Sequence, residues 1–275
     1  MYKIIEKKKL NDAVDQMVIK APFVAKKCQP GHFIILRVDE EGERIPLTIA
    51  DYDREDETVT IIYQKVGYST KKLSEKQVGE CVEDFVGPLG EEAPLKAVKR
   101  VLGIGGGVGI APLFPQLKKL KELGAEVDTI LGGRNEELII LTEEVEKLCD
   151  HTYYATNDGS KGIKGFVTDY LNQLIDEGNQ YDLVIAIGPL VMMKAVCQIT
   201  KELGIETNVS LNPIMIDGTG MCGGCRVTVG DKVKFACVDG PDFDGHKVDF
   251  DEAIRRQDMY KEEEQDHLCK MGGDQ

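Results

Sequence analysis

RVLGIGGGVGIAP, residues 100–112, decides the fold. The stretch opens as a short apolar strand, Arg100–Ile104, passes through a glycine cluster and enters a helix expected over Leu113–Leu123. A strand that turns on glycines directly into a helix leaves backbone N–H groups open at the helix start, where the helix dipole favours an anion. The strict G-x-G-x-x-G spacing does not fit, because its third glycine would fall on Val108 or Ile110. G-G-x-G-x-x-P does fit, on Gly106, Gly107, Gly109 and Pro112, with Gly105 just ahead. The context points to a dinucleotide phosphate site, although the same glycines also suit plain helix–strand packing.

Downstream, strands at Val127–Leu131, Thr152–Ala155, Leu183–Ile187 and Asn208–Leu211 alternate with helices at Glu136–Leu148, Phe166–Glu177 and Val191–Leu203. Such alternation predicts an α/β doubly wound parallel sheet over residues 98–211, which gathers its ligands at the carboxyl ends of the strands. Arg134 follows the second strand, Asn157 and Asp158 the third, and Gly188 the fourth, each equally readable as an ordinary turn residue. A carboxylate normally takes the adenosine ribose diol of NAD at the position of Arg134. An arginine there suits the 2′-phosphate of NADP or stacks on adenine, so NAD(H) and NADP(H) both stay open.

Upstream, residues 1–97 carry short period-two runs at Met17–Ile19, Phe33–Val38, Val59–Tyr63 and Cys81–Phe85, separated by Pro30-Gly31, Glu41-Gly42 and Gly87-Pro88. This spacing predicts an antiparallel β-barrel or sandwich. Within it, Arg44-Ile-Pro-Leu-Thr offers a guanidinium for a pyrophosphate and, at Thr48, a hydroxyl for a flavin ring edge, with Pro46 and Leu47 between. Gly67, Ser69 and Thr70 form a small, donor-rich helix start, and Tyr63 joins the same set. Each alone reads as a surface group or helix cap; in order, ahead of the glycine loop, they are not independent.

The run DGTGMCGGCRVTVGDKVKFAC, residues 217–237, spaces Asp217, Cys222, Cys225 and Cys237 as D-x4-C-x2-C-x11-C. Plant-type ferredoxins hold a 2Fe-2S cluster with C-x4-C-x2-C and a distant cysteine, so the loop reads as an iron–sulfur site with a carboxylate in first place. A structural zinc accepts Cys3Asp as well, and Cys269 in the polar tail is the competing fourth ligand. A small cluster module is expected over 212–247, followed by an acidic tail over 248–275 with helical periodicity at Phe250, Ala253, Ile254 and Tyr260.

The chain has 275 residues and a net charge of −14, which disfavours nucleic acid and anionic membranes as partners. No apolar stretch is long and uninterrupted enough for a signal peptide or a membrane span, so a cytoplasmic protein is expected. Cys28, Cys81, Cys149 and Cys197 are irregularly placed and read as isolated thiols. No residue is assigned as a catalytic acid or base.

The order of these motifs resembles the ferredoxin-NADP reductase superfamily over residues 1–210: a flavin-binding barrel followed by a nicotinamide domain. With the cluster loop added, the chain resembles the electron-transfer subunits of class B dihydroorotate dehydrogenases, which carry four cysteines where this sequence has Asp217. Asp217 and the run at 237–264 are closer to the small-subunit family of electron-bifurcating NADH-dependent reduced ferredoxin:NADP oxidoreductases. The resemblance implies FAD, a 2Fe-2S cluster and NAD(H) on this chain. It also implies a larger partner subunit carrying flavin and [4Fe-4S] clusters, with ferredoxin reached through the complex. Electrons would pass between that partner, the cluster, FAD and NAD(H).

Overall fold

A computed structural model describes residues 2–259; Tyr260, Cys269 and the rest of the tail lie outside the described residues. The first half holds β1 (Tyr2–Lys9), β2 (Val14–Lys20), α1 (Pro22–Lys27), β3 (Phe33–Arg37), β4 (Arg44–Asp53), β5 (Thr58–Gln64), α2 (Tyr68–Glu75), β6 (Cys81–Val82) and β7 (Asp84–Leu89). These strands form one antiparallel sheet in the order β6-β1-β2-β5-β4-β3-β7. Its two edges, β6 and β7, are consecutive in the chain with only Glu83 between them, so the sheet curls back on itself as a barrel. Ile4, Met17, Ile19, Ile34, Leu36, Ile61 and Phe85 fill the interior.

Two of these strands are not visible as periodic patterns. In β1 only Ile4 is buried, so its side chains carry no apolar alternation. In β4, Pro46 and the mixed surroundings of Arg44–Asp53 hide a strand that nevertheless pairs with β3 on one side and β5 on the other.

The second half alternates as expected: β8 (Arg100–Gly106), α3 (Ile110–Glu122), β9 (Glu126–Gly133), α4 (Thr142–Leu148), β10 (His151–Thr156), β11 (Ile163–Lys164), α5 (Val167–Asp176), β12 (Leu183–Ile187), α6 (Leu190–Glu202) and β13 (Glu206–Ser210). β12 is buried at all five positions because helices cover both faces of a parallel sheet. The helix expected over Glu136–Leu148 is instead a 3-10 turn, Glu136–Leu138, followed by α4. Leu141 takes φ 55°, which no helix tolerates, and Ile139 and Ile140 turn inward as a buried loop.

Beyond Asn212 come β14 (Arg226–Val229) and β15 (Lys232–Phe235), a two-stranded ribbon, then α7 (Ala236–Asp239), β16 (Asp242–Asp244) and α8 (Phe250–Gln257). β16 leaves the ribbon and adds to the parallel sheet, antiparallel to β13, giving the order β11-β10-β9-β8-β12-β13-β16. One apolar cluster therefore runs from Phe33 and Ile35 of the barrel through Val184 and Val209 of the sheet to Cys225, Cys237 and Phe250.

Candidate functional site

A cleft of about 950 Å³ opens between β4 and β5 of the barrel and the carboxyl ends of β8, β9 and β12. The barrel contributes Pro46, Leu47, Thr48, Tyr63 and Thr70 to its wall. The other domain contributes the phosphate loop, with Gly106, Gly107, Gly109 and Pro112, and beyond it Arg134, Asn157 and Gly188. The loop lies where β8 separates from β12, the switch point at which such a sheet opens a crevice. Gly109 is required there for space: a Cβ would stand 2.4 Å from the Ile187 carbonyl oxygen. Among the described residues Arg134 is the one charged residue in the cleft wall. Tyr63 is buried, which pushes its phenol above the ordinary tyrosine range and keeps it a neutral wall group.

Five of the residues expected at this site do not line the cleft. Arg44 is exposed, and its Nη2 donates to the carbonyl of Asp217 in the cluster loop at 3.5 Å. Ser69 donates to the Glu43 carboxylate at 3.1 Å, while Gly67 donates its amide to Thr70 Oγ1 at 3.1 Å as the cap of α2. Gly105 packs under α3, where a Cβ would meet Ile110 Cγ1 at 2.9 Å. Asp158 accepts from the hydroxyl and amide of Ser160 at 2.7 and 2.9 Å, bonds that hold its carboxyl below the ordinary range.

The cluster loop brings the four sequence-predicted ligands together as two pairs. Cys222 Sγ donates to Asp217 Oδ1 at 3.4 Å, and Cys225 Sγ donates to Cys237 Sγ at 3.2 Å. Positive φ values at Gly218 and Gly220 shape the turn. Desolvation opposes ionisation of Asp217. The Met221 amide at 2.9 Å and the Thr219 hydroxyl at 3.0 Å outweigh it and hold the carboxyl at about 2. The buried Cys237 thiol is pushed up to about 12 by desolvation and then by its bond to Cys225, so a bound cation is what would release that proton.

Two pairs fit a binuclear cluster, in which each iron takes two protein ligands; a tetrahedral zinc needs all four on one centre. Among the described residues, the one set of three ligand-type atoms within 4.8 Å of one another is Glu126, Asp128 and His151. That set is already used: Asp128 accepts from Arg100 at 2.7 Å and from the Tyr181 hydroxyl at 3.0 Å.

Residues 212–249 match the iron–sulfur cluster binding domain of dihydroorotate dehydrogenase B, and residues 104–198 match an oxidoreductase NAD-binding domain. A dihydroorotate dehydrogenase B electron-transfer subunit homolog of Thermotoga maritima is 44% identical over 96% of this chain and 93% of its own length. The chain belongs to this family of electron-transfer subunits. An uncharacterized protein in the adh 3′ region of Clostridium beijerinckii is 54% identical over 96% of this chain and 92% of its own. The solved structure of an NADH-dependent reduced ferredoxin-NADP oxidoreductase, described for flavin-based electron bifurcation, matches with a TM-score of 0.93, 42% identity and 98% coverage of both chains. As a family member the chain is an oxidoreductase subunit with an NAD-binding and an iron–sulfur-binding part.

One buried polar residue near the site is invisible in the motifs. Asp242 of β16 is buried where Gly31 of the barrel, Gln116 of α3 and β13 meet, and it accepts from Gln116 Nε2 at 2.8 Å. Its Oδ2 and the Gln116 Oε1 are both buried without a partner. Desolvation raises its carboxyl to about 6. One Asp of three in an apolar-poor run, CVDGPDFDG, gives no periodic signal for such a position.

Proposed function

We propose that this chain is the flavin and iron–sulfur subunit of a heteromeric, cytoplasmic, electron-bifurcating NADH/NADPH:ferredoxin oxidoreductase. The observation that carries this reading is the match of the whole chain, barrel, sheet and cluster loop together, to the bifurcating oxidoreductase structure. FAD supplies hydride and one-electron exchange when bound, and a 2Fe-2S cluster supplies one-electron carriage.

The chain's own residues bind and orient. Thr48 offers its hydroxyl to the flavin ring edge, with Pro46, Leu47 and Tyr63 as an apolar wall that excludes water. Gly106, Gly107 and Gly109 let a pyrophosphate approach the start of α3, while Pro112 presents no N–H to compete for geometry. Arg134 and Asn157 flank the adenosine side and take NAD(H), with NADP(H) as the alternative. Gly188 leaves room where the nicotinamide meets the flavin; Arg44, Gly67, Ser69, Gly105 and Asp158 support these walls from outside. Among the described residues no carboxylate lines the cleft, which suits hydride exchange without a side-chain acid or base. Asp217, Cys222, Cys225 and Cys237 hold the cluster.

A larger subunit with flavin and [4Fe-4S] clusters docks at the cluster loop and connects it to ferredoxin. Met221 is 84% exposed at the loop tip, beside Ile216 at 53% and Val238 at 42%, an apolar rim suited to a partner. A second reading, a dihydroorotate-oxidising partner, is favoured by the Thermotoga maritima relative. Affinity isolation of the full chain from its own cells decides between them. The proposal expects a co-purifying subunit whose complex oxidises NADPH only when ferredoxin and NAD+ are both present; dihydroorotate-dependent NAD+ reduction instead would overturn it.

A further inference from the structure

Arg256 sits on the last turn of α8 and reaches into the cluster loop: its Nη2 donates to the Gly224 carbonyl, between Cys222 and Cys225, at 3.2 Å. Its Nε is buried without any hydrogen-bond partner, and among the described residues no carboxylate pairs with it. A partly buried guanidinium whose Nε is shielded from water and whose acceptor is neutral is an expensive arrangement, because among the described residues no counter-charge offsets the lost hydration. The neighbouring Arg255 is exposed, so the helix has directed one of its two adjacent arginines inward by its apolar stripe, Phe250 and Ala253 being the other inward positions.

The missing counter-charge is what the cluster reading supplies. Two ferric ions and two sulfides, held by three thiolates and a carboxylate, carry a net negative charge that grows by one on reduction. A fixed cation beside the loop stabilises the reduced form more than the oxidised form. We infer that Arg256 is a positioning residue whose charge, held beside the loop by its bond to the Gly224 carbonyl, raises the reduction potential of the cluster held by Asp217, Cys222, Cys225 and Cys237. This rests on the cluster reading of the proposed function. The C-terminal helix thereby sets how readily the loop accepts an electron, a role distinct from holding the metal.

Redox titration of the full chain, followed by the EPR signal of the reduced cluster, tests it. Arg256→Gln keeps a donor to Gly224 and removes the charge, and should lower the one-electron equilibrium constant on the order of tenfold, 59 mV. Arg256→Lys should retain most of the wild-type potential, and Arg255→Gln, equal in net charge to Arg256→Gln, should leave it unchanged. An unshifted potential in Arg256→Gln, or an equal shift in Arg255→Gln, overturns the inference. Loss of the cluster from both Arg256 variants in a folded chain would also overturn it, making Arg256 a structural tether. A wild-type chain with no reduced-cluster EPR signal would defeat the cluster reading itself, a failure separate from these.

Discussion

Two glycine-rich turns stand at the proposed cofactor sites of this chain, and they use glycine with different emphasis. In the phosphate loop, Gly106 and Gly109 have ordinary backbone angles but no room, a Cβ meeting Met192 Sδ at 2.6 Å or the Ile187 carbonyl oxygen at 2.4 Å. In the cluster loop, Gly218 and Gly220 take φ 76° and 87°, in the left-handed region that favours glycine. Gly107 of the phosphate loop also takes φ 56°, and a Cβ at Gly218 would meet Ile35 Cγ1 at 2.9 Å, so the turns differ in emphasis: lack of room dominates in the first, backbone angle in the second. The first is a rigid pocket that exists before its ligand; the second is a polar loop whose ligands pair among themselves and whose shape a metal completes.

The largest effect should come from the loop that depends on its metal. Asp217→Ala removes one ligand of the Asp217–Cys222 pair, and the variant should lose most of its iron and its EPR signal, while NADH reduction of the flavin survives because it needs no cluster. Asp217→Cys should keep a 2Fe-2S cluster with an altered EPR spectrum and potential, since a carboxylate oxygen is a harder donor than a thiolate. Iron analysis and EPR check both, and retained iron in Asp217→Ala together with its loss in Cys269→Ala would move the fourth ligand to the tail.

Next in size is Gly109→Ala. The added methyl must displace backbone rather than a side chain, so urea denaturation should show a loss of about 3 kcal/mol, and NADH reduction of the flavin should fall at least tenfold. Gly218→Ala, at positive φ, should cost about 1–2 kcal/mol and leave NADH reduction unaltered. Equal effects of the two on NADH reduction would erase the distinction between the turns.

Asp242, buried between Gly31, Gln116 of α3 and β13, gives a pH signature. Its carboxyl is raised from 3.8 to about 6 by desolvation, so the folded chain holds a proton that the unfolded chain has already released. Stability from this group is therefore full below the unfolded value and is lost as pH rises toward about 6 and past it. Asp242→Asn, which stays neutral and adds a donor, should be more stable than wild type above pH 7 by on the order of 2–3 kcal/mol. Denaturation at several pH values should show the difference vanishing below about pH 4.

The smallest effect is expected at Arg44. Its guanidinium lies outside the cleft wall and on the Asp217 carbonyl, so Arg44→Ala should change FAD affinity by less than about threefold. A loss of ten- to a hundredfold would return Arg44 to the flavin pyrophosphate.

Much of this was legible in the sequence because spacing maps onto local geometry. Leu183–Ile187 is a strand over the same residues that the apolar run marks. The phosphate loop and the four cluster ligands share short, ordered segments, so their meeting needed no long-range information. What was hidden depends on contacts across the fold. Arg44 sits on β4, where Pro46 pairs with Ile35 and Gly218 of the cluster loop rests against that same Ile35, so the guanidinium's neighbour is 173 residues away. Asp242 is buried by three separate elements, none adjacent in sequence. Arg256 was half legible: the stripe of Phe250 and Ala253 marks its face as inward, but only the fold shows the Gly224 carbonyl there.

The proposed function requires one chain to hold both a flavin and a binuclear iron–sulfur cluster. Quantitative iron, sulfide, zinc and flavin analysis of the purified full chain, read with its visible spectrum, tests that most directly. One FAD, two irons and two sulfides per chain are expected, with flavin bands over broad iron–sulfur absorption. A colourless chain with a single zinc and no flavin would contradict it.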